Sequence, residues 1–180
     1  QGYREGIRNN IVYLEMMVNN LRAEIVAYLR RISVHELNPD LSKRLFAYTA
    51  QADDLERLCN HLLPVADLIR IKRRQRIDFS AQAMRELAEI EAMVGANLLD
   101  AEILMTNGAG GEMERLLHQI AQREECIDDA VRQAREAHLV RFHQGVCQAE
   151  AGPIFLEMLI HLERISDHCQ NIADDAAGLC

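Results

Sequence analysis

The chain has 180 residues, enough for one large domain or two small domains that pack together. Aromatic residues make up only 4% of it and tryptophan is absent, which favours helices and argues against a β-sandwich or a β-barrel. The formal net charge of −8 argues against nucleic acid as a partner, because phosphate binding requires a basic surface. No apolar run approaches the roughly 18–20 residues that span a bilayer.

Apolar side chains at helical spacing predict two long helices in the first part of the chain. The first covers about residues 3–33. Its apolar stripe consists of Ile7, Ile11, Leu14, Val18, Leu21, Ile25, Leu29 and Ile32. The second starts near residue 41, where Asn38-Pro39-Asp40 ends the connection. Pro64 lies inside the second helical pattern, so we expect a kink or an early end of the helix there.

Three further helices are predicted, over about residues 80–106, 112–141 and 149–176. A charged linker at residues 70–76 leads to Ser80, whose side chain we expect to cap the third helix. The strongest turn signal of the chain, Asn-Gly-Ala-Gly-Gly at residues 107–111, separates the third helix from the fourth. A loop around Gly145 separates the fourth helix from the fifth.

The predicted fold is all-α, with two tandem antiparallel three-helix bundles. Helices three to five form the second bundle, over residues 77–180. The first two helices, over residues 1–76, look like the last two members of a similar bundle whose first helix is absent from the chain. Because the sequence also opens at Gln1 rather than Met, we expect it to be a segment of a longer protein.

Two stretches of the chain repeat each other. Residues 55–61, Leu-Glu-Arg-Leu-Cys-Asn-His, return at residues 162–168 as Leu-Glu-Arg-Ile-Ser-Asp-His, an offset of 107 residues that also relates Asp67 to Asp174. An offset this long in a chain of 180 residues indicates a duplicated unit rather than a short repeat. The second copy keeps acidic residues that the first copy has partly lost.

Acidic residues four apart mark the fourth and fifth predicted helices, as Glu124 with Asp128 and Glu163 with Asp167. If the turn between these helices centres near residue 145, antiparallel packing places Glu124 opposite Asp167 and Asp128 opposite Glu163. Glu124 and Asp128 lie at the edge of the apolar stripe and are expected to be partly buried. Clustered carboxylates of this kind either have raised pKa values or bind a cation, and oxygen ligands without cysteine suit magnesium, calcium, manganese or iron.

The same register in the first half places Glu15 opposite Asn60 and Asn19 opposite Glu56. Two of the four acids are therefore amides in the first copy.

Two other interpretations compete with that of a metal-binding regulator. Arg115, Arg123 and Arg164 could neutralise these acids in ordinary salt bridges, or the acids could simply line a wet surface. A ferritin-like di-iron enzyme would also use helix carboxylates, but it requires Glu-x-x-His motifs, which the chain lacks. No nucleophile motif, Walker loop or dinucleotide fingerprint is present either, so a non-enzymatic protein is predicted.

The histidines and cysteines give weaker signals. His61 and His168 recur at the repeat and are expected to be exposed, with a role near the acids or at an interface as the alternative. Glu157 and His161 are expected to form a surface pair. The five cysteines are odd in number and show no Cys-x-x-Cys spacing, so we expect small buried side chains in a reducing cytoplasm rather than disulfides or a zinc site.

Residues 162–173, Leu-Glu-Arg-Ile-Ser-Asp-His-Cys-Gln-Asn-Ile-Ala, closely resemble the signature of PhoU-type phosphate-regulatory proteins. Residues 124–128, Glu-Glu-Cys-Ile-Asp, resemble the acidic motif of the preceding helix in that family. The resemblance covers essentially the whole chain as two repeats. It implies a pair of three-helix bundles that tunes phosphate uptake and binds iron, zinc, manganese or magnesium. The ligands implied are Glu124, Asp128, Glu163 and Asp167, with Asn171 nearby.

The first half departs from the family pattern. Asn19 and Asn60 stand where acids are expected, and Pro64 replaces the asparagine that matches Asn171. A first-half site built from Glu15 and Glu56 is therefore the weaker expectation.

The abrupt start and the missing helix resemble the cytoplasmic tail of sodium–phosphate cotransporter-like membrane proteins. That resemblance implies a cytoplasmic location at the inner face of the membrane, with an attached transmembrane domain or a phosphate transporter as partner. The alternatives are a free-standing PhoU-type regulator and a metal-free helical module that only dimerises. Self-association into a homo-oligomer is also expected.

Overall fold

Five helices account for nearly all of the structure, which is a computed structural model that describes residues 5–34, 37–107 and 112–178. Of these residues, 89% are helical and none lies in a strand, which confirms the predicted all-α class. The helices are α1 (Glu5–Ile32), α2 (Pro39–Arg74), α3 (Ala81–Asn107), α4 (Met113–His143) and α5 (Ala151–Ala177). Within the described ranges, no helix is long and apolar enough to cross a membrane.

Local chemistry sets the helix ends close to where the sequence predicts them. The side chain of Asn38 accepts a hydrogen bond from the backbone N–H of Leu41 at 2.8 Å, which caps the start of α2. The hydroxyl of Ser80 accepts one from the N–H of Ala83 at 3.2 Å, as predicted for the start of α3. Gly145 has a φ of 70°, a left-handed conformation that suits glycine in the turn after α4.

The second helix is longer than predicted. It continues past Pro64 to Arg74, so the expected early end was wrong, and the expected charged linker is helical over residues 70–74. Burial of Leu58 and Ala66 on either side of the proline offsets the lost helix hydrogen bond. The basic residues of the last turn also favour a helix, because positive charge stabilises a helix C-terminus.

Helix α5 lies at the centre of the molecule and packs against α2, α3 and α4. Its apolar face is buried at Ile154, Met158, Ile165, Cys169 and Ile172, while Leu162 packs at the edge of the core. The side chains that are fully buried between α3, α4 and α5 include Ile90, Ile120, Ile127 and Leu159. This core holds α4 and α5 at a fixed register.

Helix α1 packs only on α2 among the described elements. Arg8 binds Asp67 at 2.7 Å and Arg22 binds Asp53 at 2.6 Å. In both pairs the midpoint between the two residue numbers falls at the connection, between residues 37 and 38. Helices α1 and α2 are therefore antiparallel in the register that the sequence predicts.

A large apolar surface of α1 and α2 is open to solvent. Four residues of the predicted α1 stripe are exposed, namely Ile7, Leu14, Leu21 and Ile25. Phe46 of α2 is 76% exposed in the same half of the molecule. The apolar stripe of α1 is therefore wider than its contact with α2, and we call this exposed part of α1 and α2 the open surface.

Candidate metal centre

Three carboxylates come together where α4 packs on α5. Oxygen atoms of Glu124, Asp128 and Asp167 lie within 4.8 Å of one another. Glu124 and Asp128 are one turn apart on α4, and the antiparallel packing of α5 places Asp167 beside both. In the described part of the chain, no other three acidic, histidine or cysteine residues bring ligand atoms this close together. The arrangement offers oxygen ligands to a single cation.

The fourth predicted acid, Glu163, is held by an arginine. Nη2 of Arg135 lies 2.5 Å from Oε2 of Glu163. Glu163 nevertheless lies close enough to Asp128 to contribute to the raised pKa of that carboxyl. Arg135 was missed by the sequence reasoning, although it lies two turns beyond Asp128 on the same side of α4.

Partial loss of solvent and mutual repulsion raise the pKa values of the two acids of α4. Burial is the largest cause of the raised pKa of Glu124, followed by the charges of Asp128 and Asp167. Asp128 as a whole is exposed, but the packed helices shield its carboxyl from part of the solvent, which is the first cause of its raised pKa, with the charges of Glu163 and Asp167 next. Neither Glu124 nor Asp128 forms a hydrogen bond or an ion pair with any residue that the structure describes. A bound cation would relieve this repulsion.

The two acids of α4 differ in exposure. Glu124 is half-buried, as predicted, but Asp128 is exposed, so the prediction of partial burial was wrong for Asp128. The neighbouring Ile127 and Val131 take the fully buried positions, which turns the short Asp128 side chain outward. The centre is therefore accessible from solvent through Asp128.

The arginines considered as partners neutralise the centre only in part. Arg164, itself largely exposed, binds Asp167 at 3.0 Å. Arg123 turns to α3 and binds Asp100 at 3.0 Å, and Arg115 pairs with an acid outside the centre. The salt-bridge alternative therefore applies to Asp167, and through Arg135 to the fourth acid, but not to the acids of α4.

A polar network behind the carboxylates ties three helices together. Arg123, the residue before Glu124, donates a hydrogen bond to the amide oxygen of Asn97 at 2.6 Å. The Asn97 amide donates in turn to the hydroxyl of Ser166 at 3.0 Å, and both of these residues are fully buried. Ser166 immediately precedes Asp167. The network therefore fixes the backbones that carry Glu124 and Asp167, as outer-shell hydrogen bonds do in metal sites.

Asn171 contacts helix α2. Its side-chain amide donates to Oδ1 of Asp54 in α2 at 3.3 Å. Asp174, almost one turn further along α5, contributes to the raised pKa of Glu124. Asn171 therefore belongs to the contact between α2 and α5.

The first half brings two acids together without a third. Glu15 and Glu56 both lie beside Cys59, where their charges add to burial in raising the pKa of the thiol. The Asn60 amide donates a hydrogen bond to the Glu56 carboxylate at 2.8 Å. An acidic residue at position 60 would instead repel this carboxylate. Asn19 is exposed. Within the described ranges, no three-carboxylate centre forms in this half.

The histidines and one cysteine differ from expectation. His61 and His168 are half-buried between α2 and α5 rather than exposed, which supports the interface alternative. His161 contacts His61 instead of forming a hydrogen-bonded pair with Glu157. Cys126 is exposed because the adjacent Ile127 takes the buried position, so the prediction of buried cysteines was wrong there.

The other cysteines are less exposed. Cys59 and Cys147 are half-buried, and burial raises the pKa of Cys169 to about 12. Cys180 lies outside the described residues. The described cysteines are all free thiols.

The family model of the PhoU domain matches residues 83–176. This match spans more than half of the chain and includes all four acids of α4 and α5. The chain belongs to the PhoU domain family. PhoU domains regulate phosphate transport and are a regulatory rather than an enzymatic family. Comparison with curated proteins and with solved structures found no match.

Proposed function

We propose that this PhoU domain regulates phosphate uptake through a metal ion held by Glu124, Asp128 and Asp167. Family membership supports the regulatory role. The observation that carries the metal proposal is the convergence of three carboxylates from two helices within 4.8 Å. Two of them, Glu124 and Asp128, pair with no residue that the structure describes. Evenly solvated surface acids would avoid each other, whereas these are held together by the packing behind them.

The ligand set favours a hard cation. Carboxylate oxygens suit magnesium, manganese and iron, while zinc more often takes histidine or cysteine ligands. Glu163 becomes a fourth ligand if Arg135 releases it, because Glu163 already lies near Asp128. The exposed Asp128 gives the ion an entry path from solvent.

Metal binding links α4 to α5 in this proposal. The ion replaces the repulsion between Glu124, Asp128 and Asp167 by direct ligation, which stiffens the contact between the two helices. Binding at a hundredfold excess over the dissociation constant stabilises a native state by about 2.7 kcal/mol. Regulation then follows from a bundle that is rigid with metal and looser without it.

We further propose that the regulated partner is a phosphate transporter. The domain acts at the inner face of the membrane, either as the cytoplasmic domain of a sodium–phosphate cotransporter-like protein or as a separate regulator. The open surface of α1 and α2 supports a protein contact, because apolar patches of this kind commonly mark interaction sites. A homo-oligomer built through the same surface is the related proposal.

Phosphate uptake by cells tests the function. Cells that carry the full-length protein with Asp128→Asn and Asp167→Asn should lose phosphate-dependent control of uptake. Asp129→Asn is the matched control, because Asp129 lies on the same helix and pairs with Arg132 outside the centre. Normal control of uptake in the double variant would contradict a regulatory role for the metal.

A metal-free interaction module is the second candidate. The ion pairs of Arg164 with Asp167 and of Arg135 with Glu163 favour it, since each neutralises one acid without a metal. This candidate predicts that the double variant folds, self-associates and regulates like the wild type.

A further inference from the structure

A cluster of histidines lies between α2 and α5, next to the carboxylate centre along α5, where His168 directly follows Asp167. The Nδ1 atoms of His61 and His161 are 3.0 Å apart. The ring of His168 stacks on that of His61, with centroids 5.6 Å apart and an interplanar angle of 25°. Nδ1 of His168 donates to Oδ1 of Asp54 at 2.8 Å, which fixes the orientation of His168.

The repeat explains how the cluster arises. The offset of 107 residues that relates Glu56 to Glu163 also relates Asp54 to His161 and His61 to His168. The contact of Asp54 with His168 and the contact of His161 with His61 therefore occupy equivalent places in the two repeats. The first contact is an ordinary hydrogen bond to a carboxylate. In the second, an imidazole replaces the carboxylate, so that two ring nitrogens face each other.

Two facing nitrogens must share either one proton or one metal ion. A neutral imidazole has one ring nitrogen with a lone pair for ligation, and in this contact Nδ1 of each ring faces Nδ1 of the other. Metal–nitrogen bonds of about 2.0–2.1 Å place two imidazole nitrogens on one ion about 2.9 Å apart at a right angle and about 3.4 Å apart at the tetrahedral angle. The observed separation of 3.0 Å lies between these two values.

We propose that His61 and His161 bind a transition-metal ion of the zinc, cobalt, nickel or copper type that links α2 to α5. Imidazole suits these ions, whereas the carboxylate centre suits harder ones. Among the described residues, no third candidate ligand lies within 4.8 Å of both nitrogens, so water completes the coordination. His168 acts as a positioning residue that holds the ring of His61 by stacking.

Calorimetric titration with Zn²⁺ tests the site in the Asp128→Asn/Asp167→Asn variant, which lacks the carboxylate centre. In this background Zn²⁺ should still bind. Adding His61→Gln or His161→Gln should weaken binding by at least about tenfold, because loss of outer-shell partners alone typically weakens metal affinity 10–100-fold. His118→Gln should leave it unchanged, since His118 is exposed on α4. Equal Zn²⁺ binding in all of these proteins would overturn the proposal.

A second measurement needs no substitution. Zn²⁺ should protect His61 and His161 of the wild-type protein from modification by diethyl pyrocarbonate, read out peptide by peptide, while Mg²⁺ should not. His118 should react equally with and without Zn²⁺. Unchanged modification of His61 and His161 would also overturn the proposal. Failure of the carboxylate proposal would leave both results standing, because neither depends on a metal bound by the acids.

Discussion

At the scale of single residues, the decisive feature is a pair of carboxyls whose pKa values are raised in the folded protein. Loss of solvent around the carboxyl is the first cause of the raised pKa of both Glu124 and Asp128, and the charges of neighbouring acids are the next cause. A raised acid pKa means that the folded state holds the proton more tightly than the unfolded state. These two groups therefore make the metal-free protein less stable as the pH rises through and above their ordinary values of 4.5 and 3.8.

Removal of one charge should reverse this effect. We expect Asp128→Asn to raise the free energy of unfolding by a few tenths of a kcal/mol at neutral pH in chelator, because it removes like-charge repulsion. Urea denaturation near pH 7 and near pH 4 measures the difference, which should shrink at the lower pH. Glu136→Gln serves as the control, because Glu136 is exposed on the same helix and is not among the charges that raise the pKa of Glu124 or Asp128. A clear loss of stability in Asp128→Asn with chelator present would contradict this assignment.

The residue scale also shows where sequence reasoning ends. Spacing four apart and an antiparallel turn were enough to predict that Glu124 and Asp128 of α4 face Glu163 and Asp167 of α5. They could not predict that Arg135 forms an ion pair with Glu163. The partner of a long, flexible side chain depends on how the helices pack, and the periodicity of the sequence does not report that packing. The exposure of Asp128 was missed for a related reason, since burial at the edge of a stripe varies over a single residue.

At the scale of the elements, α3 and α4 are joined by a buried ion pair. Arg141 donates two hydrogen bonds to Glu86, at 2.7 and 2.8 Å, and the side chain of Arg141 is only 7% exposed. Removing one partner leaves the other charge buried. We expect Glu86→Gln to lower the free energy of unfolding by about 3 kcal/mol, measured by urea denaturation.

The exposed pair of Arg132 with Asp129 is the control for that measurement. Breaking it by Arg132→Gln should change stability by no more than about 1 kcal/mol, because surface ion pairs contribute little. Equal effects of Glu86→Gln and Arg132→Gln would show that burial does not strengthen the pair of Glu86 with Arg141.

The uninterrupted α2 helix leads to another prediction. Proline inside a helix removes a hydrogen bond and crowds the preceding turn, at a cost of about 3 kcal/mol. Pro64→Ala should therefore raise the free energy of unfolding by about 1–3 kcal/mol in thermal or urea denaturation. Pro153→Ala, in the first turn of α5, should change it much less. A destabilising Pro64→Ala would mean that the native backbone depends on the proline.

Five helices, their order and the register between neighbours could all be predicted from periodicity, turn residues and caps. The length of α2 could not, because the linker at residues 70–76 reads as a charged loop when the stabilising effect of basic residues at a helix C-terminus is ignored. The contact between the histidines of α2 and α5 could not be predicted either. It joins helices from different repeats, and no local sequence pattern indicates how those helices pack.

At the scale of the whole molecule, the two halves are unequal. Helices α3, α4 and α5 enclose a core, whereas α1 lies on α2 alone and leaves the open surface exposed. We expect Leu14→Glu with Leu21→Glu to abolish self-association, measured by sedimentation over a range of concentrations, without loss of helix content. These leucines are 58% and 52% exposed. Leu139→Glu is the control, since Leu139 is equally exposed on α4.

A wild-type protein that sediments as a monomer at every concentration would contradict the proposed homo-oligomer. Self-association that survives in the double leucine variant would place the contact elsewhere on the molecule.

Metal content tests the central claim most directly. Protein purified without chelator should contain about one equivalent of a hard metal ion per chain by elemental analysis. Asp129→Asn should retain the ion and Asp128→Asn/Asp167→Asn should lose it. Absence of metal from all three proteins, with a melting temperature that manganese, magnesium or iron does not raise, would contradict the claim that Glu124, Asp128 and Asp167 form a metal centre.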